Sequence, residues 1–199
     1  MDSKIIYITN NSETLIPIYY IDHYKDKKIK EIFNAYKFKN ARKNQYLLNI
    51  CLDICIDLII KHKDSNIIFT YPPSTMFYRK EKDIDSMGNL IVQVKKYLNF
   101  YYRRDKETYY FKNLFSINQK YLKNKKAQHL DGTKSTRIKD LSKRYYLNFW
   151  NKQFLRKLTK RKTIIVIIDD VSSTGGTLFA CKNSLQGFSV EVELYSLAH

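Results

Sequence analysis

The sequence predicts an α/β fold, a mostly parallel sheet flanked by helices. Three observations carry that reading. Ile164, Ile165, Val166, Ile167 and Ile168 form an unbroken β-branched run, short and bounded by polar residues, the pattern of a strand buried on both faces. The run passes at once into Asp169 and Asp170, then into a hydroxyl- and glycine-rich turn, and then into a helix expected over Leu178 to Leu185. Earlier in the chain, Ile67 to Thr70 reads as the first parallel strand. It leaves through Tyr71-Pro72-Pro73-Ser74, where two prolines impose a stiff extended exit.

The remaining elements are taken in chain order. Ile5 to Ile8 and Leu15 to Ile21 are short apolar runs, read as edge strands or an extended arm; Pro17 favours an edge or non-strand position. Lys27 to Lys37 places Ile29, Ile32, Phe33 and Tyr36 on one helical face, and Arg42 to about His62 predicts a second, longer helix. His62, at its end, is expected to face solvent and to complement the helix dipole if charged. Phe77 to Asp85 is polar and charged. Met87 to Leu98 returns to helical spacing through Leu90, Ile91, Val94 and Leu98. Strands are candidates at Phe100 to Arg103 and Tyr109 to Ile117. Lys123 to Asp140 reads as a long flexible loop, and Arg137 to Tyr146 as the start of a short helix. Trp150, the one tryptophan, is expected to be a packing anchor. Gly187 suits a helix C-cap. Val190, Val192 and Leu194 alternate with Glu191 and Glu193, predicting a final strand with one wet face.

The chemistry concentrates after Ile168. Gly175 and Gly176 let the backbone take positive φ and approach a ligand. Successive N–H groups in such a turn, backed by a helix N-terminus, make a concavity for an anion. Ser172, Ser173, Thr174 and Thr177 add hydroxyl donors, a set that suits a phosphate monoester. Asp169 and Asp170 repel phosphate but accept well from a vicinal diol. The stretch therefore reads as a ribose 5-phosphate clamp. A Walker A loop would need a Gly-Lys-Ser/Thr end, and a dinucleotide fingerprint would need spaced glycines; neither is present.

Residues Ile164 to Leu178 resemble, at every position, the PRPP (phosphoribosyl pyrophosphate) signature of type I phosphoribosyltransferases. The wider order of motifs, from Ile18 to Ala198, resembles the competence-associated ComF branch of that family. Ala35-Tyr36-Lys37-Phe38 ends an early helix as in that branch. Thr70-Tyr71-Pro72-Pro73 stands where it has a Pro-Val-Pro strand exit, and Gln128, Leu130, Arg137 and Asp140 resemble a later Gln, Leu, Arg, Asn series. Lys82-Asp83-Ile84-Asp85-Ser86 replaces an Arg-Gly-Phe-Asn-Gln element, losing its glycine and both amides. That departure bears on turnover more than on binding.

The resemblance implies a single domain over 1–199 with a type I phosphoribosyltransferase-like core at 67–99 and 160–199 and a small variable hood at 1–66 and 100–150. It implies that Asp169 and Asp170 act catalytically, holding the ribose hydroxyls and favouring an oxocarbenium-like transition state by fixed charge. Val171, Ser172, Ser173, Thr174, Gly175, Gly176 and Thr177 would bind PRPP at its 5-phosphate. Tyr71, Pro72, Pro73 and Ser74 would form the diphosphate loop. Mg²⁺ would ride on PRPP, with no dedicated protein metal site, and a base among Lys123, Lys125, Lys126, Lys134 and Arg137 would cover the leaving pyrophosphate. The activity, if the chain turns over, is phosphoribosyl transfer. The family association is with DNA uptake in natural transformation, alongside a helicase acting on single-stranded DNA. The alternative is a non-catalytic, single-stranded-DNA-binding accessory factor that senses a phosphoribosyl ligand.

Composition sets the outer limits. The 199 residues carry 36 Lys and Arg against 19 Asp and Glu, a net charge of +17. That balance has two readings, nucleic-acid binding or the Lys, Ile, Asn and Tyr bias of an AT-rich coding sequence. Aromatics and lysines interleave from Phe100 to Tyr121; this pattern suits stacking on single strands and equally suits core aromatics with surface lysines. Cys51, Cys55 and Cys181 give no C-x-x-C pair, so the zinc ribbon of many ComF relatives has no counterpart in their spacing, and Cys51 and Cys55 are expected as buried thiols. No apolar run approaches the ~20 residues that span a bilayer, and no signal peptide is evident, so a cytoplasmic protein is expected.

Overall fold

The computed structural model describes residues 4–9, 15–22, 26–36, 45–74, 85–101, 109–120, 143–172 and 174–199. In chain order the strands are β1 (Lys4–Thr9), β2 (Leu15–Asp22), β3 (Asn66–Thr70), β4 (Tyr109–Phe111), β5 (Phe115–Ile117), β6 (Tyr145–Leu147), β7 (Thr163–Val171) and β8 (Glu191–Ala198). The helices are α1 (Lys27–Asn34), α2 (Gln45–Lys61), α3 (Ser86–Tyr101), α4 (Phe149–Leu158) and α5 (Gly176–Asn183). The main sheet is six-stranded, in the order β1-β2-β8-β7-β3-β4. Only β1 runs antiparallel to its neighbour; β2, β8, β7, β3 and β4 are mutually parallel. β5 and β6 form a separate antiparallel pair. The chain is thus α/β, with a mostly parallel sheet flanked by helices.

The alternation of strand side chains explains the two layers. Ile67, Phe69, Ile164, Val166 and Ile168 face one apolar cluster with α1, α2 and α3. Ile68, Ile165 and Ile167 face a second one with α4, α5 and the β5–β6 pair. β3 is buried along its whole length, as are the first six residues of β7. Helices cover both sides, which is why these strands read as continuous apolar runs.

Several expectations change. β2 is not an edge strand, because it lies between β1 and β8. Pro17 is tolerated because it opposes Tyr7 of β1 while the β8 pairing begins only at Tyr19. Phe100 and Tyr101 close α3 instead of forming a strand, and Tyr109 to Ile117 holds two short strands that belong to different sheets. Tyr145 and Tyr146 lie in strand β6 where helix was expected. β8 is wet only at its start, because its last five residues are buried, Leu194 in one apolar cluster and Tyr195, Leu197 and Ala198 in the other. α5 ends at Asn183 with Ser184 as its cap, and Gly187 takes its positive φ of 88° in the turn beyond. His62 does not face solvent: its side chain is 13% exposed and its Nε2 lies 2.9 Å from Glu193 Oε1, which also pairs with Lys61 at 2.9 Å. Cys51, Cys55 and Cys181 are buried free thiols. The loop expected over Lys123 to Asp140 lies outside the described residues, as do Phe77 to Ile84.

Trp150 is the clearest reversal. It is 76% exposed beside Phe149 at 63%, the two rings meeting edge to face with centroids 5.5 Å apart. The anchor is its neighbour Asn151, whose buried amide donates to the carbonyls of Asn113 at 3.1 Å and Leu114 at 2.7 Å. Asn151→Leu should therefore cost about 1–3 kcal/mol, two carbonyls losing their donor, whereas Trp150→Ser should stay within about 0.5 kcal/mol of the parent. Urea midpoints at constant slope measure both.

Candidate functional site

The site is fixed by strand order. β3 is followed by its neighbour β4 on one side, and β7 by β8 on the other. The gap between β3 and β7 is therefore the switch point, where an open sheet leaves a crevice at its C-terminal edge. Both stretches singled out in the sequence exit there. Pairing between the two strands ends at Thr70 opposite Ile167, while β7 continues beside β8 as far as Val171 opposite Ala198. Asp169 and Asp170 thus project about 7–10 Å beyond the end of β3, past the start of the Tyr71–Ser74 loop. In that loop Pro72 and Pro73 are buried and Tyr71 and Ser74 half-buried.

The two acids serve opposite faces, as consecutive strand residues must. Asp169 lies within electrostatic range of Tyr145 and Cys181, on the α5 side. Asp170 acts on Tyr36 and Asp85, on the α1–α3 side. Each acid also accepts the N–H that follows it, Asp169 Oδ1 from Asp170 at 2.9 Å and Asp170 Oδ1 from Val171 at 2.7 Å. Those bonds stiffen the strand end before the loop.

Beyond them, Ser172 is buried; its N–H donates to the Ala198 carbonyl at 3.0 Å and its carbonyl accepts from His199 Nδ1. Ser173 lies outside the described residues. Thr174 is exposed and Thr177 half-buried. Gly175 stands at the N-cap of α5 with φ 70°, the left-handed conformation expected of it. Gly176 does not share that conformation; it is the buried first residue of the helix. The first helical bond runs from Phe179 N to Gly175 O at 2.9 Å. Hence the N–H groups of Gly176, Thr177 and Leu178 have no acceptor within the helix, and a glycine cap offers them no side-chain oxygen. This is a geometry suited to an anion.

Three further residues lie near these groups: Asp85 and Tyr36, which the sequence named only within the family resemblance, and Arg144, which it did not mark. Asp85 precedes α3; its Oδ1 accepts from Gly88 N at 3.3 Å, and its carbonyl from Asn89 N at 2.9 Å. Burial, then the charge of Asp170, raises its pKa above the usual carboxylate value, against the lowering effect of the Gly88 and Met87 N–H groups. Tyr36 is buried, its hydroxyl 3.8 Å from Met87 Sδ, and burial together with Asp170 holds its proton firmly. Arg144 is buried beside Tyr145, and its Nε has no hydrogen-bond partner. Nothing separates Arg144 in sequence from the many other basic residues, and Asp85 sits in a run of ordinary surface charge. Burial likewise raises the Cys181 thiol, with Asp169 adding to it, so this thiol is a core group and no nucleophile.

Among the described residues no group of three His, Cys, Asp or Glu is arranged to hold a metal ion, and no helix is long and apolar enough to cross a membrane. The loop bases named from the sequence, Lys123 to Arg137, lie outside the described residues. No family model matches the chain, and no curated protein matches it.

Asp85 supplies a pH test. A carboxylate whose folded pKa is raised contributes stability that is complete below its unfolded value and is lost as pH rises through the folded one. Asp85→Asn keeps an oxygen for the Gly88 N–H and removes the ionisation. The variant should melt on the order of 2 °C above the parent at pH 8, and the difference should close below about pH 4. Thermal melts across that range measure it; a difference that grows on acidification would contradict the burial of this charge.

Proposed function

We propose that the crevice between β3 and β7 binds a phosphoribosyl ligand of the PRPP type, in a ComF-like domain with a type I phosphoribosyltransferase-like core. The observation that carries the reading is the joint placement of a carboxylate pair and an uncapped helix N-terminus at one strand exit. The first wants hydroxyls and the second wants phosphate. A ribose 5-phosphate presents both, a few bonds apart. In this reading the 5-phosphate meets the N–H groups of Gly176, Thr177 and Leu178 and the hydroxyls of Ser172, Thr174 and Thr177. The diol lies across the strand end, one hydroxyl toward Asp169 and one toward Asp170. The diphosphate extends over Tyr71 to Ser74. Mg²⁺, carried by the ligand, supplies neutralisation of the diphosphate charge, and the hard oxygens of Asp170 and Asp85 on that side suit such a cation. Where transfer occurs, the two carboxylates stabilise positive charge developing at the ribose as the bond to pyrophosphate lengthens.

A second reading rests on a different surface. Residues 143–162 contain no acid, and α4 presents exposed Phe149 and Trp150 beside exposed Lys152, Arg156 and Lys157. Open aromatic rings among cations are the chemistry of single-stranded nucleic-acid binding. Within the 100–121 stretch that the sequence marked, Phe100 and Tyr101 at the end of α3 are exposed as well, near exposed Lys95 and Lys96, whereas Tyr109, Tyr110, Phe111 and Phe115 are buried or half-buried.

One crossed experiment tests both readings. Thermal shift is titrated with PRPP plus Mg²⁺ and with a single-stranded oligonucleotide, for the parent, Asp169→Asn with Asp170→Asn, and Phe149→Ala with Trp150→Ala. Ligand at a hundred times its Kd should stabilise the parent by about 2.7 kcal/mol. The acid double variant should lose the PRPP response alone, and the aromatic double variant the oligonucleotide response alone. A parent indifferent to PRPP, or an acid variant that responds like the parent, would sink the first reading.

A further inference from the structure

We propose that Gly88, in the first turn of α3, is the seat that positions Tyr71 and, through it, the Tyr71–Ser74 loop for the diphosphate arm of the ligand. The proposal rests on the phosphoribosyl reading above and goes beyond it by naming what sets the second loop.

Glycine is among the poorest residues for a helix interior, so its place in α3 calls for a reason. Contact supplies one. A Cβ on Gly88 would lie 2.6 Å from the Tyr71 hydroxyl, 3.1 Å from Tyr71 Cζ and 3.1 Å from Asp85 Oδ2. The end of the phenol therefore rests on bare helix backbone, and a side chain at this position would have to push it aside. Asn113 Nδ2 approaches the same hydroxyl at 3.5 Å.

The connector that carries Asn113 is itself pinned. Leu114 N donates to Thr70 Oγ1 at 3.2 Å, Lys112 N donates to Phe69 O at 3.1 Å, and the buried Asn151 amide holds the Asn113 and Leu114 carbonyls. Tyr71 thus lies between α3 and the exit of β4, directly after the last residue of β3. The chain beyond Tyr71 is stiff: Pro72 and Pro73 have fixed φ and are buried. A shift of the Tyr71 backbone would therefore reach Ser74 with few free torsions to absorb it. Asp85, whose carboxylate borders the same seat, is near enough to Asp170 to feel its charge.

The seat has a signature that a purely structural glycine lacks. It acts through the diphosphate loop and the adjoining Asp85, so it separates PRPP from ribose 5-phosphate, which has no diphosphate arm. Calorimetric titration of the full chain with PRPP plus Mg²⁺ and, separately, with ribose 5-phosphate reads that separation. Gly88→Ala should weaken PRPP on the order of tenfold, the scale of one charge-assisted hydrogen bond, and leave ribose 5-phosphate affinity unchanged. Tyr71→Ala, which empties the seat without touching α3, should show the same split and serves if Gly88→Ala does not fold. Adding Tyr71→Phe to Gly88→Ala, which removes the clashing hydroxyl, should recover part of the loss. Unchanged PRPP affinity in both single variants, or equal weakening of both ligands, would overturn the seat. A parent that binds neither ligand would instead overturn the phosphoribosyl reading beneath it.

Discussion

The register between β3 and β7 is the constraint on which the rest depends. β3 stops at Thr70, while β7 runs on for four more residues against β8 alone. That difference in length carries Asp169 and Asp170 past the end of β3, beside the start of the Tyr71–Ser74 loop, while β7 is still paired with β8. It also sets where α5 begins, because the turn through Gly175 must start from the lifted end of β7. Had β3 been as long as β7, its backbone would close the side of β7 from which a ligand reaches the acids. The Ser172 and His199 bonds secure the same end from the β8 side. Strand length, a backbone property, thus determines the electrostatics of the site.

Charge is distributed unevenly around that site. On the α1–α3 side, burial and then the charge of Asp170 raise the cost of ionising Asp85, and burial with Asp170 and Asp85 raises that of Tyr36. On the other side, Asp169 faces buried Tyr145 and Cys181 near Arg144. Two groups with like charge at one crevice are costly in the free protein. A ligand that brings hydroxyls and a cation relieves that cost, so the site gains more from such a ligand than the hydrogen bonds alone suggest. The Glu193 cluster at the far end of α2 is a contrasting case. There Lys61 and His62 lower the carboxyl's pKa against the effect of its burial, and the group serves the fold.

The α/β class was legible because β3 and β7 are buried on both faces, and burial on both faces writes an unbroken apolar run. The helices α1, α2 and α3 were legible from their spacing. The order of strand, paired acids, turn and helix was legible because hydroxyls, glycines and paired carboxylates stand out after such a run. What failed was tertiary. Pro17 misled because local backbone logic does not know which half of a strand is paired. Trp150 misled because a large ring is usually inside, whereas here the anchoring position one residue on belongs to an amide. His62 misled because Glu193, its partner, lies far along the chain. Asp85 and Gly88 were invisible as site residues because their meaning comes from Tyr71 and Asp170, which the fold brings to them.

The central claim is that the N–H groups opening α5 receive a phosphate whose sugar lies on Asp169 and Asp170. Amide NMR of the labelled chain during titration with ribose 5-phosphate tests it most directly. The account predicts that the amide signals of Gly176, Thr177 and Leu178 move together and saturate. The amide of Gly187, the other glycine with positive φ, lies in the turn at the opposite edge of the sheet and should stay in place. Stationary signals at Gly176 to Leu178, or shifts no larger than that of Gly187, would contradict it.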